Sequence, residues 1–329
     1  MNTLIYIASA SRSGSTILDN LLSNHPDAAS IGELRQLSGH LRQGNAGRSW
    51  DWRCTCGLSL TDCPIWSATA DTFEQNTKLP LRQVNTLTGR TERARLNFAL
   101  ACATPILPRK SRRRLMPYAY KARKLEAAGV HAYRIIDAFR EQTNAKTIID
   151  SSKTPEHLYA LIAARPETYT LRVIHLIRDG RAVLYSAMNR TAQYGAPFSL
   201  GRATAAWCNT NLQVAGLRDL LAPSDWITVR YENLCQQPEN TIRQICKAFQ
   251  IPFDSRMLRL SRAGKHNIGG SPHRFNWSRD TKITLDNRWH TGLKLSHRLS
   301  YYAIAGAVHV WLRHLTRLGP QPRKLPNSR

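Results

Sequence analysis

Between an apolar run at Thr3 to Ala8 and a helical pattern starting at Ile17 lies Ser9-Ala10-Ser11-Arg12-Ser13-Gly14-Ser15-Thr16. A loop of small residues joining a strand to a helix N-terminus presents free backbone N–H groups at the positive end of the helix dipole. That geometry suits a phosphate. Ser15 and Thr16 add hydroxyl donors and Arg12 adds positive charge; the simpler alternative is that Ser13 or Ser15 only caps the helix. The loop departs from the ATPase pattern G-x-x-x-x-G-K-[ST], with Ser9 at the first glycine and Ser15 at the lysine. Without that lysine, and without a Mg²⁺-binding carboxylate partner, a P-loop kinase is disfavoured.

A second candidate anchor follows the apolar run Leu171 to Ile177, where Arg178 is succeeded by Ser186 within a helical pattern. Guanidinium and hydroxyl can there converge on a second phosphate. The alternative is an ordinary ion pair between Arg178 and Asp179. Lys153 ends Ile149-Asp150-Ser151-Ser152-Lys153, just past another strand-like run, where α/β sheets bind ligands. Otherwise Asp150 and Ser152 cap a helix beginning at Pro155, and Lys153 is solvated. Glu33, in Ile31-Gly32-Glu33-Leu34, is a candidate general base or else a carboxylate favoured by a helix dipole.

Together these segments resemble the sulfotransferase family. Arg12-Ser13-Gly14-Ser15-Thr16 is similar to its P-[RK]-S-G-[ST]-[ST] loop, with Ala10 and Ser11 where a proline often stands. Arg178 to Ser186 resembles R-D-P-R-A-V-x-x-S, with Gly180 for the proline; Val229 to Leu234 resembles R-Y-E-D-L; Ile268 to Phe275 resembles a glycine- and arginine-bearing loop near the nucleotide. The resemblance implies transfer of a sulfuryl group from 3′-phosphoadenosine 5′-phosphosulfate (PAPS) to an acceptor hydroxyl of a carbohydrate, glycolipid or other small alcohol. Adenosine 3′,5′-bisphosphate is released, and no metal is implied. It assigns Arg12, Ser13, Gly14, Ser15, Thr16, Arg178, Ser186 and Arg274 to the nucleotide, Glu33 to the acceptor proton, and Arg12 and Lys153 to the charge developing on the leaving oxygen. Arg12 in place of a lysine, together with Gly32-Glu33, resembles the bacterial, carbohydrate and tyrosylprotein branch, and no counterpart of the phenol branch's catalytic histidine stands out.

Elements able to position these residues are evident. Four apolar runs, Thr3 to Ala8, Thr147 to Ile149, Leu171 to Ile177 and Trp226 to Val229, each precede a helical pattern, the alternation of a parallel sheet covered on both faces. Helical faces are expected at Ile17, Leu18, Leu21 and Leu22, at Leu158, Leu161 and Ile162, and at Ile242, Ile245, Cys246 and Phe249. The expected fold is therefore α/β, a P-loop-like three-layer architecture with a central mostly parallel sheet. With 42% hydrophobic residues in 329, the chain can bury a full core as a single domain over 1–329. Residues 50–142 read as a helical insertion for the acceptor, Tyr301 to Leu315 as a packed helix, and the proline-rich basic tail 319–329 as frayed.

Lys and Arg number 47 against 22 Asp and Glu, a formal +25 that favours anionic partners. The densest run is Arg109-Lys110-Ser111-Arg112-Arg113-Arg114, followed by Lys121, Arg123 and Lys124. It is a solvated helix face or a contact for an anionic acceptor or lipid surface. Aromatic residues do not interleave with it, so nucleic acid is not expected. Seven scattered cysteines, no secretory signal and no stretch of about 20 apolar residues give the expectation of a reducing, cytoplasmic protein with peripheral contact at the inner membrane surface. Cys54-Thr55-Cys56-Gly57 with Cys63-Pro64 and Trp66 resembles a C-x-C-G…C-P-x-W insertion of bacterial sulfotransferases. A packed loop of thiols is the first reading. A zinc set, with His40 as candidate fourth ligand, and a disulfide are the alternatives, the spacing differing from C-x-x-C.

Overall fold

Strand β1 (Asn2–Ser9) sends Leu4, Tyr6 and Ala8 into one core and Ile5 and Ile7 into another, the period of two that an extended backbone imposes. A strand apolar on both faces belongs inside a sheet. In the computed structural model, which describes residues 2–43, 53–86, 94–120, 123–193, 197–278 and 280–317, β1 is the central strand of five. The others are β2 (Ala28–Gly32), β3 (Thr147–Lys153), β4 (Tyr169–Ile177) and β5 (Trp226–Arg230), in the order β2-β3-β1-β4-β5 with every pairing parallel.

The helices are α1 (Ser15–Leu22), α2 (Leu37–Gln43), α3 (Pro64–Thr77), α4 (Ala94–Ala103), α5 (Arg109–Tyr120), α6 (Arg123–Thr143), α7 (Pro155–Ala163), α8 (Gly180–Gln193), α9 (Leu200–Leu217), α10 (Tyr231–Gln236), α11 (Pro238–Phe249), α12 (Trp289–Gly292) and α13 (Leu295–Arg317). Leu18 and Leu21 of α1 and Ile242 and Ile245 of α11 cover one sheet face, and Leu158 and Leu161 of α7 the other, all fully buried. Each such side chain contributes about 1.5–3 kcal/mol through burial. The expected three-layer α/β fold is the one observed.

The chain leaves β1 toward β2 on one side of the sheet and leaves β4 toward β5 on the other. Adjacent strands whose connections diverge leave an uncovered crevice at their carboxyl ends, where open α/β sheets bind ligands. Both anion-binding segments read from the sequence begin there.

Three points refine the sequence expectations. Strand β2 escaped the apolar-run criterion because its Ala28-Ala29-Ser30-Ile31-Gly32 is an edge strand with only Ile31 as a large apolar side chain. The described part of 50–142 is helical, yet it shares the core of β1: Trp66 and Phe139 rings lie 5.2 Å apart and Tyr133 donates to the Leu161 carbonyl of α7 at 3.1 Å. It thus completes one helical layer as well as extending beyond it. Tyr301, Ala305, His309 and Leu312 form the buried stripe of α13, as a packed helix requires, and among the described residues no helix is long and apolar enough to cross a membrane. The tail 319–329 and Lys121 lie outside the described residues.

Candidate active site

The loop after β1 turns through left-handed backbone at Arg12 (φ 68°) and Gly14 (φ 86°). Gly14 is the N-cap of α1, its carbonyl accepting Ile17 N–H at 3.0 Å and Leu18 N–H at 3.2 Å, so the helix begins abruptly with its first N–H groups free of intrahelical partners. A Cβ at Gly14 would stand 2.3 Å from the Tyr231 ring. Only glycine satisfies both the φ and that approach.

Tyr231, at the start of α10, also supports the second anchor. The Arg178 guanidinium lies 4.4 Å over its ring and donates from Nη1 to the Arg12 carbonyl at 3.0 Å and from Nη2 to Asp286 Oδ2 at 3.3 Å. Arg12 in turn donates from Nε to Ser186 Oγ of α8 at 3.0 Å. The two anchors are therefore one connected unit. Asp179, the partner considered for Arg178, instead pairs with Arg181 at 2.6 Å, and its N–H donates to Glu232 at 2.9 Å. Hydrogen bonds from Arg288, helped by the charge of Arg178, hold the Asp286 carboxyl down at about 2.

Glu33 follows β2 directly and is buried. Lys153 Nζ donates to its Oε1 and Gln36 Nε2 to its Oε2, so both oxygens are held. The Glu33 N–H donates to the Ile268 carbonyl at 2.8 Å, and Gly269 then passes so close that a Cβ there would lie 2.8 Å from Glu33 Cβ. Ser271 N–H donates to Thr16 Oγ1 at 3.0 Å, closing the wall over α1. Lys153 has left-handed backbone, φ 73°, and lines the same cleft. Asp150 and Ser152 do not cap α7: Asp150 accepts from Ser152 N–H at 2.8 Å and pairs with buried His157 at 2.9 Å, while Ser152 Oγ accepts from Arg35 N–H.

Arg12, Gly14, Ser15, Thr16, Glu33, Lys153, Arg178 and Ser186 all line one cleft of about 790 Å³. Its lining carries six Lys and Arg side chains, Arg12, Lys153, Arg178, Arg190, Lys282 and Arg288, against the carboxylates Glu33 and Asp286. An anion is the fitting occupant. Ser13 is buried beneath the loop with its Oγ unpartnered. Arg274 is a correction: it is 1% exposed, outside the cleft lining, and donates to Thr55 Oγ1, Ser271 O and Arg53 O, bracing loops instead of facing a nucleotide. His40 lines the cleft. Sequence reasoning missed Tyr231, although the motif containing it was noted, and also Gln36 and Asp286, whose roles arise from tertiary contact without a local signal.

A profile of the sulfotransferase family matches residues 5–255. The chain belongs to the sulfotransferase family. Among solved structures, the sulfotransferase domain of the Synechococcus PCC 7002 olefin synthase is 18% identical, with 93% of this chain and 94% of that one covered and a TM-score of 0.50. A sulfotransferase domain from the curacin biosynthetic pathway is 18% identical over 94% and 98% of the two chains, TM-score 0.48. A sulfotransferase from Mycobacterium avium is 15% identical over 92% and 75%, TM-score 0.47. At 18% identity, the first of these likenesses speaks to the fold alone. No curated protein matches the sequence.

Proposed function

We propose that the cleft binds PAPS and transfers its sulfuryl group to an acceptor hydroxyl. The observation that carries this reading is the connected pair of anchors in which Arg178, though buried, keeps Nε without a hydrogen-bond partner. A buried unpaired donor is costly unless a ligand oxygen meets it. In this reading the α1 N-terminus and Arg12 hold the 5′-phosphosulfate, and Arg178 with Ser186 holds the 3′-phosphate.

Glu33 takes the acceptor proton as the new O–S bond forms and the bond from sulfur to the phosphate oxygen breaks. Lys153 orients Glu33 through their ion pair and, with Arg12 and the N–H groups of α1, offsets charge growing on the departing oxygen. Preorganised charge of this kind acts on the transition state more than on the ground state.

The acceptor in this proposal is a carbohydrate, glycolipid or other small alcohol, met at anionic membrane surfaces through α5. The fold divides the basic run: half-buried Arg112 and exposed Arg109 pair with Asp219 at 2.5 and 3.2 Å, whereas Lys110, Arg113 and Arg114 are exposed outside that pairing. The reading is tested by incubating purified protein with PAPS and an extract of the source cells. Mass spectrometry should find a new sulfated alcohol, absent when Arg12→Ala protein is used; no sulfated product from any extract fraction contradicts it.

A further inference from the structure

Away from the cleft floor, the thiols of Cys54, Cys56 and Cys63 and the imidazole of His266 bring one ligand atom each within 4.8 Å of one another. Cys54 and Cys63 are buried and their sulfurs lie 3.6 Å apart; His266 Nδ1 lies 3.2 Å from Cys63 Sγ and 3.9 Å from Cys54 Sγ. Zn–S bonds of about 2.3 Å and Zn–N bonds of about 2.0–2.1 Å at tetrahedral angles place two sulfurs about 3.8 Å apart and sulfur and nitrogen about 3.6 Å apart. The observed sulfur–sulfur spacing of 3.6 Å lies close to the first value, and the two sulfur–nitrogen spacings of 3.2 and 3.9 Å fall on either side of the second.

The cluster is also braced before any metal binds. Thr55 N–H donates to the Asn267 carbonyl at 3.1 Å, Trp66 Nε1 to the His266 carbonyl at 2.6 Å, and Arg262 Nη2 to the Cys56 carbonyl at 2.8 Å. Buried Arg274 reaches Thr55 and Arg53 from the far side. His266 stands 203 positions from Cys63, which is why sequence spacing does not associate it with these cysteines and points to His40 instead.

We propose that Cys54, Cys56, Cys63 and His266 bind one Zn²⁺, replacing the expectation of a metal-free loop of packed thiols. Three thiolates and an imidazole fill a tetrahedral set with no open position, so the site is structural. It ties the cysteine loop to the segment whose next residues, Ile268 and Gly269, abut Glu33. The metal thus positions the cleft wall without touching substrate.

The test uses the full chain, reduced, incubated with Zn²⁺ and desalted. Elemental analysis should find one zinc per chain, and Co²⁺ in its place should give the visible absorption of a tetrahedral thiolate complex. Cys54→Ser and His266→Ala should lose the metal, while Cys102→Ser, an exposed thiol on α4, should keep it. For the unmutated protein, a chelator should lower Tm and Zn²⁺ should restore it. A reduced chain that retains no zinc, a Tm indifferent to chelator, or a Cys54–Cys63 disulfide in the freshly isolated protein overturns the proposal. None of these readouts depends on sulfuryl transfer.

Discussion

Lys153 and Glu33 form an ion pair that joins the carboxyl ends of β3 and β2 across 120 positions of sequence. The side chains chosen separately as cation and base are thus one unit, with Gln36 holding the second carboxylate oxygen. Their proximity follows from β3 inserting between β1 and β2 in the sheet.

Glu33→Gln should lower kcat by about 10²–10⁴ while leaving the affinity for adenosine 3′,5′-bisphosphate close to that of the unmutated protein. Lys153→Ala should lower kcat as well. Steady-state kinetics with calorimetric binding separates these effects, and a Glu33→Gln enzyme with near-normal kcat assigns the proton to another group.

Two glycines should report on different parts of the cleft. Gly14→Ala forces a Cβ to 2.3 Å from the Tyr231 ring beneath Arg178, so nucleotide affinity should fall; Gly269→Ala presses on Glu33 at 2.8 Å, so kcat should fall more than affinity. Left-handed backbone adds strain of about 1–3 kcal/mol at either site. Gly201→Ala, with open space around it on α9, should change neither. Equal losses from Gly14→Ala and Gly201→Ala contradict the cleft geometry.

Stability should depend on pH through two buried groups of opposite sign. Burial pushes the Asp19 carboxyl up from 3.8 to about 6, so stability falls as pH rises between those values, where the folded state holds the extra proton. Burial lowers His175, bonded to Asn211 at 3.0 Å, from 6.5 to about 4, so stability falls as pH drops through that window, where the unfolded state takes up the proton. Each displacement amounts to roughly 3 kcal/mol. Relative to the unmutated protein, Asp19→Asn should gain stability from pH 4 to pH 7, and His175→Gln should gain it from pH 7 to pH 4. Denaturant titrations giving profiles parallel to the unmutated one contradict both assignments.

Much of this was legible locally. Uninterrupted apolar runs mark β1, β3, β4 and β5 because buried parallel strands need apolar side chains on both faces, and the proposed phosphate loop is marked by small residues between β1 and α1. Edge strand β2 has no such demand and stayed hidden. Arg274 looked like a nucleotide ligand because an arginine in a glycine-rich loop reads the same whether it faces a cleft or braces a neighbour; only the fold shows it donating to Thr55, Ser271 and Arg53. Asp286 and His266 meet their partners across long sequence separations, which no spacing rule records.

The proposed membrane contact is specific about which cations act. Substituting Lys110, Arg113 and Arg114 by Gln should abolish low-salt co-sedimentation with phosphatidylglycerol vesicles, each contributing about 1 kcal/mol near the surface. Binding should also weaken as salt rises. Arg112→Gln should instead lower stability, since its guanidinium holds Asp219 and the Thr104 and Leu107 carbonyls. No low-salt binding leaves α5 as ordinary solvated surface.

The central claim, that this sulfotransferase cleft reads a nucleotide with two separate phosphate positions, is tested most directly by calorimetric titration with adenosine 3′,5′-bisphosphate and adenosine 5′-phosphate. Charge-assisted hydrogen bonds to the 3′-phosphate are worth about 1.5–3 kcal/mol, so the bisphosphate should bind at least about tenfold more tightly. Arg178→Ala should remove that preference while adenosine 5′-phosphate binds much as before. Equal affinity of the unmutated protein for the two nucleotides, or a preference that survives Arg178→Ala, contradicts the account.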